Sequence, residues 1–389
     1  MTRPTPTPTD ADFSDQPTPV REGQRFDTER LEPWLRERVP RLAAGAPKVT
    51  QFGRGFSNLT YLLSFGSGDD GTHVHDHVTE LVLRRAPPGV KIKSAHDMGR
   101  EFRILSHLAN VWKKTPRPLA ACDDESLIGT PFYVMERVRG VILRARMPTG
   151  LALDADTMRR VSEAAVDPLA EIHTIDWRAA GLGDLGKPEG YVERQVTGWG
   201  DRYRAAKTDE VPQMEELARW LAERRPEGAG ATLVHNDFKY DNIVLDEGVS
   251  RVPSVARVAA VLDWEMATIG DPLMDLGTTL GYWIEKSDPP VFQVMVFGPT
   301  NVAGNLTRSE IVRRYAAKTG RAIDETGVLY YYAFALYKLA VVAQQLYRRY
   351  RDGLTKEERY APMLEGVRAV SSAALLAIEK GRIDRLNEP

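Results

Sequence analysis

The stretch His235-Asn236-Asp237-Phe238-Lys239-Tyr240-Asp241-Asn242, followed by Val261-Leu262-Asp263-Trp264-Glu265, decides how this chain is read. The first run has the form H-x-D-x-x-x-x-N, in which the aspartate meets an attacking hydroxyl and the asparagine meets a magnesium ion. The second run ends a hydrophobic segment in a carboxylate. Ile243-Val244-Leu245 reads as a short strand, Glu247-Gly248 as the start of a turn, and Val258 to Leu262 as a second strand. A hairpin there would return the chain so that Asn242 and Asp263 share one hard cation, with phosphates and water completing its oxygen shell. Asp237 is then expected to orient a hydroxyl and accept its proton, and Lys239 to place positive charge beside a transferring phosphoryl group. Loop-capping Asp and Asn residues beside a strand are common one at a time. The full set in this order, with further acids at Asp271 and Asp275, points to phosphoryl transfer.

Composition leaves room for that chemistry and narrows the rest. At 389 residues the chain exceeds one average domain, so two lobes are expected. Hydrophobic residues make up 42% and charged residues 27%, and the net charge is −2, so no nucleic-acid or membrane partner is expected. The single cysteine, Cys122, allows no internal disulfide and fits a reducing, cytosolic setting. No apolar run in the sequence approaches the ~20 residues of a membrane span, and the N-terminus lacks the apolar core of a signal peptide.

The period of the hydrophobic pattern changes along the chain. Residues 1–25 open on alternating Thr and Pro and read as a flexible tail, which buries too little apolar surface to offset its ordering entropy. Leu31, Trp34, Leu35 and Val39 form a helical stripe. From Val49 onward, strands are expected on either side of Gly53-Arg54-Gly55, again at Glu80 to Arg84, and at Leu119 to Cys122 and Phe132 to Glu136 with a turn at Asp123-Asp124-Glu125 between these last two. Ser94-Ala95-His96-Asp97 reads as a capping box, with Ser94 as N-cap and Asp97 at N3, opening a helix through Met98, Phe102, Leu105 and Leu108. Beyond Gly140 the pattern is helical apart from the region of the opening motif, and Pro168 is expected to bend the first helix. The fold class is therefore α+β. A nucleotide-binding lobe over 26–136 holds a small antiparallel sheet, 137–140 connects, and a mostly helical lobe over 141–389 carries the catalytic loop and acceptor site.

These residues resemble the aminoglycoside-phosphotransferase-like branch of the protein-kinase-like fold, in particular the phosphotransferase domains found fused to acyl-CoA dehydrogenases. The likeness rests on Gly55-Phe56-Ser57-Asn58-Leu59-Thr60-Tyr61, on Leu81 to Gly89, on Gly129-Thr130-Pro131-Phe132-Tyr133-Val134-Met135-Glu136, on the opening motif and on Gly270-Asp271-Pro272-Leu273-Met274-Asp275-Leu276-Gly277. It runs from about residue 48 to 350, and the chain is expected to be the kinase module alone. The resemblance implies ATP and Mg2+ as cofactors and a small-molecule hydroxyl as acceptor. It also implies that Gly55, Ser57 and Asn58 cover the ATP phosphates and that Met135, Glu136 and Val138 form the stretch that reads adenine. Arg84 stands where kinases place a lysine for the α- and β-phosphates, and guanidinium geometry differs from that of an ammonium. Either Arg84 takes the role or Arg85 or Lys91 contributes. Glu101 shares the inward stripe of its helix and needs a cationic partner there. Asp271 and Asp275 are expected to brace the loop or to cap the helix after Pro272.

Other features carry less. His73, His75 and His77 alternate but sit among Gly, Asp and Thr, and read as a solvated loop rather than a metal site. His173 reads as a packed histidine. Tyr330, Tyr331, Tyr332, Phe334 and Tyr337 read mostly as core. The acceptor-side helix, Gly327 to Arg351, holds Lys338, Arg348, Arg349 and Arg351 and no acid, which argues against a polycationic antibiotic and toward a hydroxyacyl-CoA-like acceptor. A solvated basic helix end, favoured by the macrodipole, is the competing reading. Rival functions are an aminoglycoside kinase and a non-catalytic pseudokinase. The presence of Asp237, Asn242 and Asp263 counts against the second. Trp264-Glu265 in place of Phe-Gly, with no Ala-Pro-Glu segment, counts against a protein kinase.

Overall fold

The computed structural model describes residues 13–53, 58–66, 79–87, 97–250, 256–293 and 296–388. They form two compact units. One comprises residues 13–142 together with 244–247 and 258–266, and the other takes the remainder. This departs from the expected boundaries, since 137–142 and much of the segment after the catalytic loop cluster with the first unit.

In the first unit, α1 (Thr28–Arg38) precedes β1 (Lys48–Gln51), β2 (Leu59–Ser64), β3 (Glu80–Arg85), α2 (Met98–Val111), β4 (Pro118–Cys122), the one-turn α3 (Glu125–Ile128) and β5 (Phe132–Glu136). The strands make one antiparallel sheet in the order β1-β2-β3-β5-β4. Alternation along each strand sends Tyr61, Leu63, Leu81, Leu83, Phe132 and Val134 to the face covered by Leu31 and Leu35 of α1. Each such side chain fully buried contributes about 1.5–3 kcal/mol. The other face carries Arg84 and its cross-strand partner Tyr133, under α2.

The chain around this sheet departs from the sequence reading in three places. Thr18 is paired with Gln51 through two backbone hydrogen bonds of 2.8 and 2.7 Å, so part of the expected tail covers the β1 edge instead of floating free. The cap of α2 is Asp97 itself, which accepts the Arg100 N–H, rather than Ser94, which with Ala95 and His96 lies outside the described residues. The turn expected at Asp123-Asp124-Glu125 is the short helix α3, capped by Asp124 and ended by Gly129 in the left-handed region.

In the second unit, α4 (Ala155–Thr174) runs through Pro168 as one helix and is followed by α5 (Tyr191–Ala206), α6 (Pro212–Glu223) and β6 (Thr232–Val234). After His235 to Asn242 come β7 (Ile243–Leu245) and β8 (Val258–Val261), which pair with each other and cluster, apart from Ile243, with the first unit, and then β9 (Thr268–Gly270) of the second unit, which pairs with β6. The chain ends in α7 (Pro272–Tyr282), α8 (Arg308–Thr319), α9 (Glu325–Arg351) and α10 (Met363–Lys380). β6 and β9 are three residues each, too short for a hydrophobic period to show. α7 and α9 approach closely because α7 presents glycines. A Cβ on Gly277 would lie 2.5 Å from the Tyr331 carbonyl oxygen, and one on Gly281 would lie 3.0 Å from the Ala335 Cβ. By length and apolar content α9 and the segment Glu358–Lys380 could each cross a membrane, yet 72% of the α9 window is buried within the protein. α9 is thus a core helix of this unit, while 44% of the window in the second segment is buried.

Candidate functional site

The loop expected to be catalytic, His235 to Asn242, is fixed at its start by α7. Asp275 is fully buried, and its carboxylate accepts the backbone N–H groups of His235 at 2.6 Å and Asn236 at 2.7 Å. His173 joins the same carboxylate at 3.1 Å and meets the Tyr315 hydroxyl at 2.6 Å through its other nitrogen. Burial would raise the Asp275 carboxyl, but the His173 hydrogen bond and charge and the His235 contacts hold it below the usual carboxylate value. Asp271 takes the other role expected of this pair. It caps α7 by accepting the Leu273 and Met274 N–H groups, and it also accepts the Ala229 N–H. The sequence offered bracing or capping for both residues, and the structure gives one role to each. His173 is packed as expected, and it is also a strut of the loop brace.

Above that brace, Asn236 adopts φ +65°, a left-handed conformation that Asn tolerates better than most residues. Its side-chain oxygen accepts from the Tyr191 hydroxyl at 3.1 Å and its carbonyl accepts from Lys338 Nζ at 3.0 Å. The turn delivers Asp237 to a cluster that uses both carboxylate oxygens. Lys239 Nζ donates to Oδ1 at 2.9 Å and Oδ2 at 2.7 Å, Tyr282 Oη donates to Oδ1 at 2.6 Å, and Asn242 Nδ2 donates to Oδ2 at 3.0 Å. Burial pushes the Asp237 carboxyl up, but the Lys239 charge and the Lys239 and Tyr282 hydrogen bonds leave it below its ordinary value. The Asp237 and Lys239 side chains remain 20% and 19% exposed, so a small molecule can reach them. Asn242 Nδ2 also donates to the Asp237 carbonyl at 2.9 Å, which commits the amide nitrogen to the loop and leaves Oδ1 as the arm suited to a cation.

The first unit assembles a second charged cluster. Arg84 reaches Glu101 at 3.2 Å, Asp263 at 2.8 Å and Glu265 at 3.4 Å. Burial works against its charge, but Glu101, Tyr133, Asp263 and Glu265 more than compensate and hold the guanidinium firmly protonated. The expected Arg84–Glu101 pair is therefore present. Arg85, one residue on, points to the opposite sheet face, where it donates to the Ile128 and Gln24 carbonyls and lies near the Tyr61 hydroxyl. Strand alternation thus removes Arg85 from the alternatives, and Lys91 lies outside the described residues. Asp263 has φ +66°. The next residue, Trp264, is completely buried, donates its backbone N–H to Glu101 at 3.1 Å and packs edge-on to Trp112.

Asn58 donates to Glu265 at 2.5 Å, while Gly55, Ser57 and the His73, His75 and His77 group lie outside the described residues. Met135 and Glu136, two of the three residues expected to read adenine, sit in sheet register with Val82 and Leu81, the Glu136 N–H donates to the Arg117 carbonyl, and Val138, the third, lies beyond the strand end. The sequence reading missed Tyr282 and Tyr191. Tyr282 lies seven residues after Asp275 on α7, a same-face spacing that could have flagged it. Tyr191 bears on the loop only through tertiary packing. Among the basic residues of α9, Arg348 pairs with Asp352 and Arg351 with Asp209 at the helix end, as the solvated reading had it, and Lys338 alone among these three meets the catalytic loop.

Residues 48–304 match the family model described as the phosphotransferase enzyme family. Mouse acyl-CoA dehydrogenase family member 10 is 34% identical over 361 residues, which is 92% of this chain and 31% of that protein. Chicken acyl-CoA dehydrogenase family member 11 is 34% identical over 87% of this chain and 42% of its own length, so the chain spans about a third to two-fifths of these relatives. A Ralstonia eutropha JMP134 structure assigned to the aminoglycoside phosphotransferases superposes with a TM-score of 0.73 at 30% identity, covering 92% of this chain and 99% of that one. Choline kinase from Cryptosporidium parvum, 14% identical, shares the fold with a TM-score of 0.60 over 93% of this chain and 99% of its own. With its α+β kinase-like fold and the loop built around Asp237, the chain belongs to the phosphotransferase enzyme family and is a small-molecule kinase of the aminoglycoside-phosphotransferase-like type.

Proposed function

We propose that the enzyme moves the γ-phosphate of ATP to a hydroxyl of a small molecule in a Mg2+-dependent reaction, and that the acceptor is a hydroxyacyl-CoA-like compound. The observation that carries this reading is the Asp237 carboxylate, kept ionised by Lys239 and aimed by Tyr282 and Asn242 while still reachable. A carboxylate held below its usual pKa is a weak base. Its contribution is to orient the hydroxyl and to take the proton late, as a loose phosphoryl-transfer transition state requires. Lys239 supplies positive charge where the transferring group arrives.

Asn242 and Asp263 are the residues we assign to Mg2+, and the donor chemistry of each taken singly suits a hard cation. Asn242 offers an amide oxygen and Asp263 a partly exposed carboxylate, and magnesium needs only one or two protein oxygens besides phosphates and water. When bound, the ion neutralises phosphate charge. Arg84, Asn58, Gly55 and Ser57 are assigned to the nucleotide phosphates, Glu101 to positioning Arg84, and Met135, Glu136 and Val138 to adenine. The acceptor assignment draws on the acyl-CoA dehydrogenase relatives and on the absence of acids from the loop-facing stretch of α9. A cytosolic setting is proposed from the lone, buried Cys122.

Product mass after incubation with ATP and Mg2+ tests the reading on hydroxyacyl-CoAs and kanamycin-type antibiotics side by side. Phosphorylation of the hydroxyacyl-CoAs, lost by about 10²–10⁴-fold in Asp237→Ala with nucleotide affinity retained, is expected. Turnover of the antibiotics alone would overturn the acceptor assignment. Equal inertness of wild type and variant toward a broad alcohol panel would overturn the enzymatic reading.

A further inference from the structure

Lys338 is a cation of α9 that reaches the loop carrying Asp237. It sits midway along α9, half-buried, and its Nζ reaches into the catalytic loop to the carbonyl of Asn236, the residue before Asp237. Among the described residues it has no carboxylate within ion-pair distance, and its other close neighbour is the Trp199 ring of α5, 5.7 Å away. The charges that bear on it are Asp237 and Asp275 on one side and Lys239 and Arg202 on the other, and Arg202 lies over the same Trp199 ring at 4.6 Å. Asp275 is already committed to the loop backbone and Asp237 to Lys239. Around Lys338, its own charge with those of Lys239 and Arg202 therefore outnumbers the two committed carboxylates.

An ammonium group has three N–H donors and accepts nothing. One donor holds the Asn236 carbonyl, so what Lys338 can add near the reacting hydroxyl is donation to an oxygen. Burial of this kind is costly for a lysine unless the site gains from its charge. Burial does press its pKa down, and Asp237 and Asp275 act against that. A charge-assisted hydrogen bond in such a half-buried place is stronger than one in open water.

We propose that Lys338 is the acceptor-recognition residue of the transfer site, binding the acyl oxygen of a hydroxyacyl acceptor whose hydroxyl is presented to Asp237. The inference rests on the phosphotransferase reading above and adds the residue and the chemical group by which the acceptor is chosen. The same Nζ repels the ammonium groups of a polycationic acceptor and gives a neutral diol nothing comparable. The acyl oxygen belongs either to a thioester carbonyl or to a free carboxylate. The carboxylate gains more from the surplus charge, and the thioester brings the rest of a large anionic molecule with it.

The test compares 3-hydroxybutyryl-CoA, 3-hydroxybutyrate and 1,3-butanediol as acceptors for wild type, Lys338→Gln and Lys338→Arg, with KM and kcat measured separately. Lys338→Gln is expected to raise KM for the acyl acceptors about tenfold more than for the diol, with Lys338→Arg recovering most of the loss. A larger effect on 3-hydroxybutyryl-CoA than on 3-hydroxybutyrate identifies the thioester as the source, and the reverse identifies the carboxylate. A fall in kcat of equal size on all three acceptors overturns the proposal and makes Lys338 a brace for Asn236. Calorimetric titration of 3-hydroxybutyryl-CoA into wild type and Lys338→Gln needs no turnover, and equal affinities also overturn it. Failure of wild type to phosphorylate any alcohol would count against the phosphotransferase reading itself, while the titration still decides the role of Lys338.

Discussion

Asp237, the residue we propose as catalytic, shows how little of such a role would rest on its own side chain. Its carboxylate is useful because Lys239, Asn242 and Tyr282 saturate it from fixed positions, and each does so differently. Lys239 supplies charge, Asn242 ties the side chain to the loop, and Tyr282 contributes a short hydroxyl hydrogen bond while its ring lies 4.8 Å from Lys239 Nζ. Replacing Tyr282 with Phe keeps the ring under the lysine and deletes only the hydroxyl. A hydrogen bond to a charged group is worth about 1.5–3 kcal/mol, and its loss frees the carboxylate to rotate. Tyr282→Phe is expected to lower kcat at least about tenfold with nucleotide affinity unchanged, read by steady-state kinetics beside nucleotide titration. Equal kcat in the two proteins would mean that Lys239 and Asn242 suffice. Asp237, Lys239, Asn242 and Asp263 could be named from sequence because each belongs to a local pattern. Tyr191 could not, because what gives it a role is a neighbour tens of residues away; Tyr282 left only its same-face spacing from Asp275, and Lys338 showed only as one of several basic residues on its helix.

At the level of elements, α7 links the loop to the core. The glycines that let it lie close to α9 keep the two helices in register, and Asp275, one turn in, ties the loop to that rigid pair. Its carboxyl is lower in the folded protein than in the unfolded chain. A depressed folded value means that the stabilisation is complete above the unfolded value near 3.9 and is lost as pH falls through the lower folded one. Asp275→Asn leaves the two backbone donors facing a neutral amide, at a cost of about 3 kcal/mol. Thermal melts should show this gap at full size from pH 8 to about pH 5 and a narrowing gap as the solution becomes more acidic than pH 4. A gap that widens on acidification would contradict the assignment. The spacing of Asp271 and Asp275 at the start of a helical segment was visible in the sequence. Which of them caps and which braces depends on where β6 delivers His235, and three-residue strands leave no periodic trace.

Across the whole molecule, the sequence separated a β-rich stretch from a helical one correctly, because a change of period from two to 3.6 is a property of long segments. It misplaced material that joins a unit through tertiary contacts. Residues 258–266 cluster with the first unit through Arg84–Asp263, Trp112–Trp264 and the Val261 N–H on the Lys114 carbonyl, none of which is local. The N-terminal segment is the clearer case. Its composition reads as a tail, yet Thr18 pairs with the β1 edge, Gln24 contacts the Gln51 side chain, and the Gln24 carbonyl accepts from both Tyr61 and Arg85. Arg85 is 1% exposed, so each acceptor it has is needed. A protein that begins at residue 25 uncovers the β1 edge and removes one of those acceptors. It is expected to lose about 3 kcal/mol of first-unit stability, measured by urea denaturation. The cause can be isolated with Arg85→Met, which deletes the buried cation. If the segment acts through Arg85, the truncation costs clearly less in the Arg85→Met background than in wild type, giving a coupling energy of about 1 kcal/mol or more. Strictly additive losses would place its contribution in the edge pairing of Thr18 with Gln51 instead.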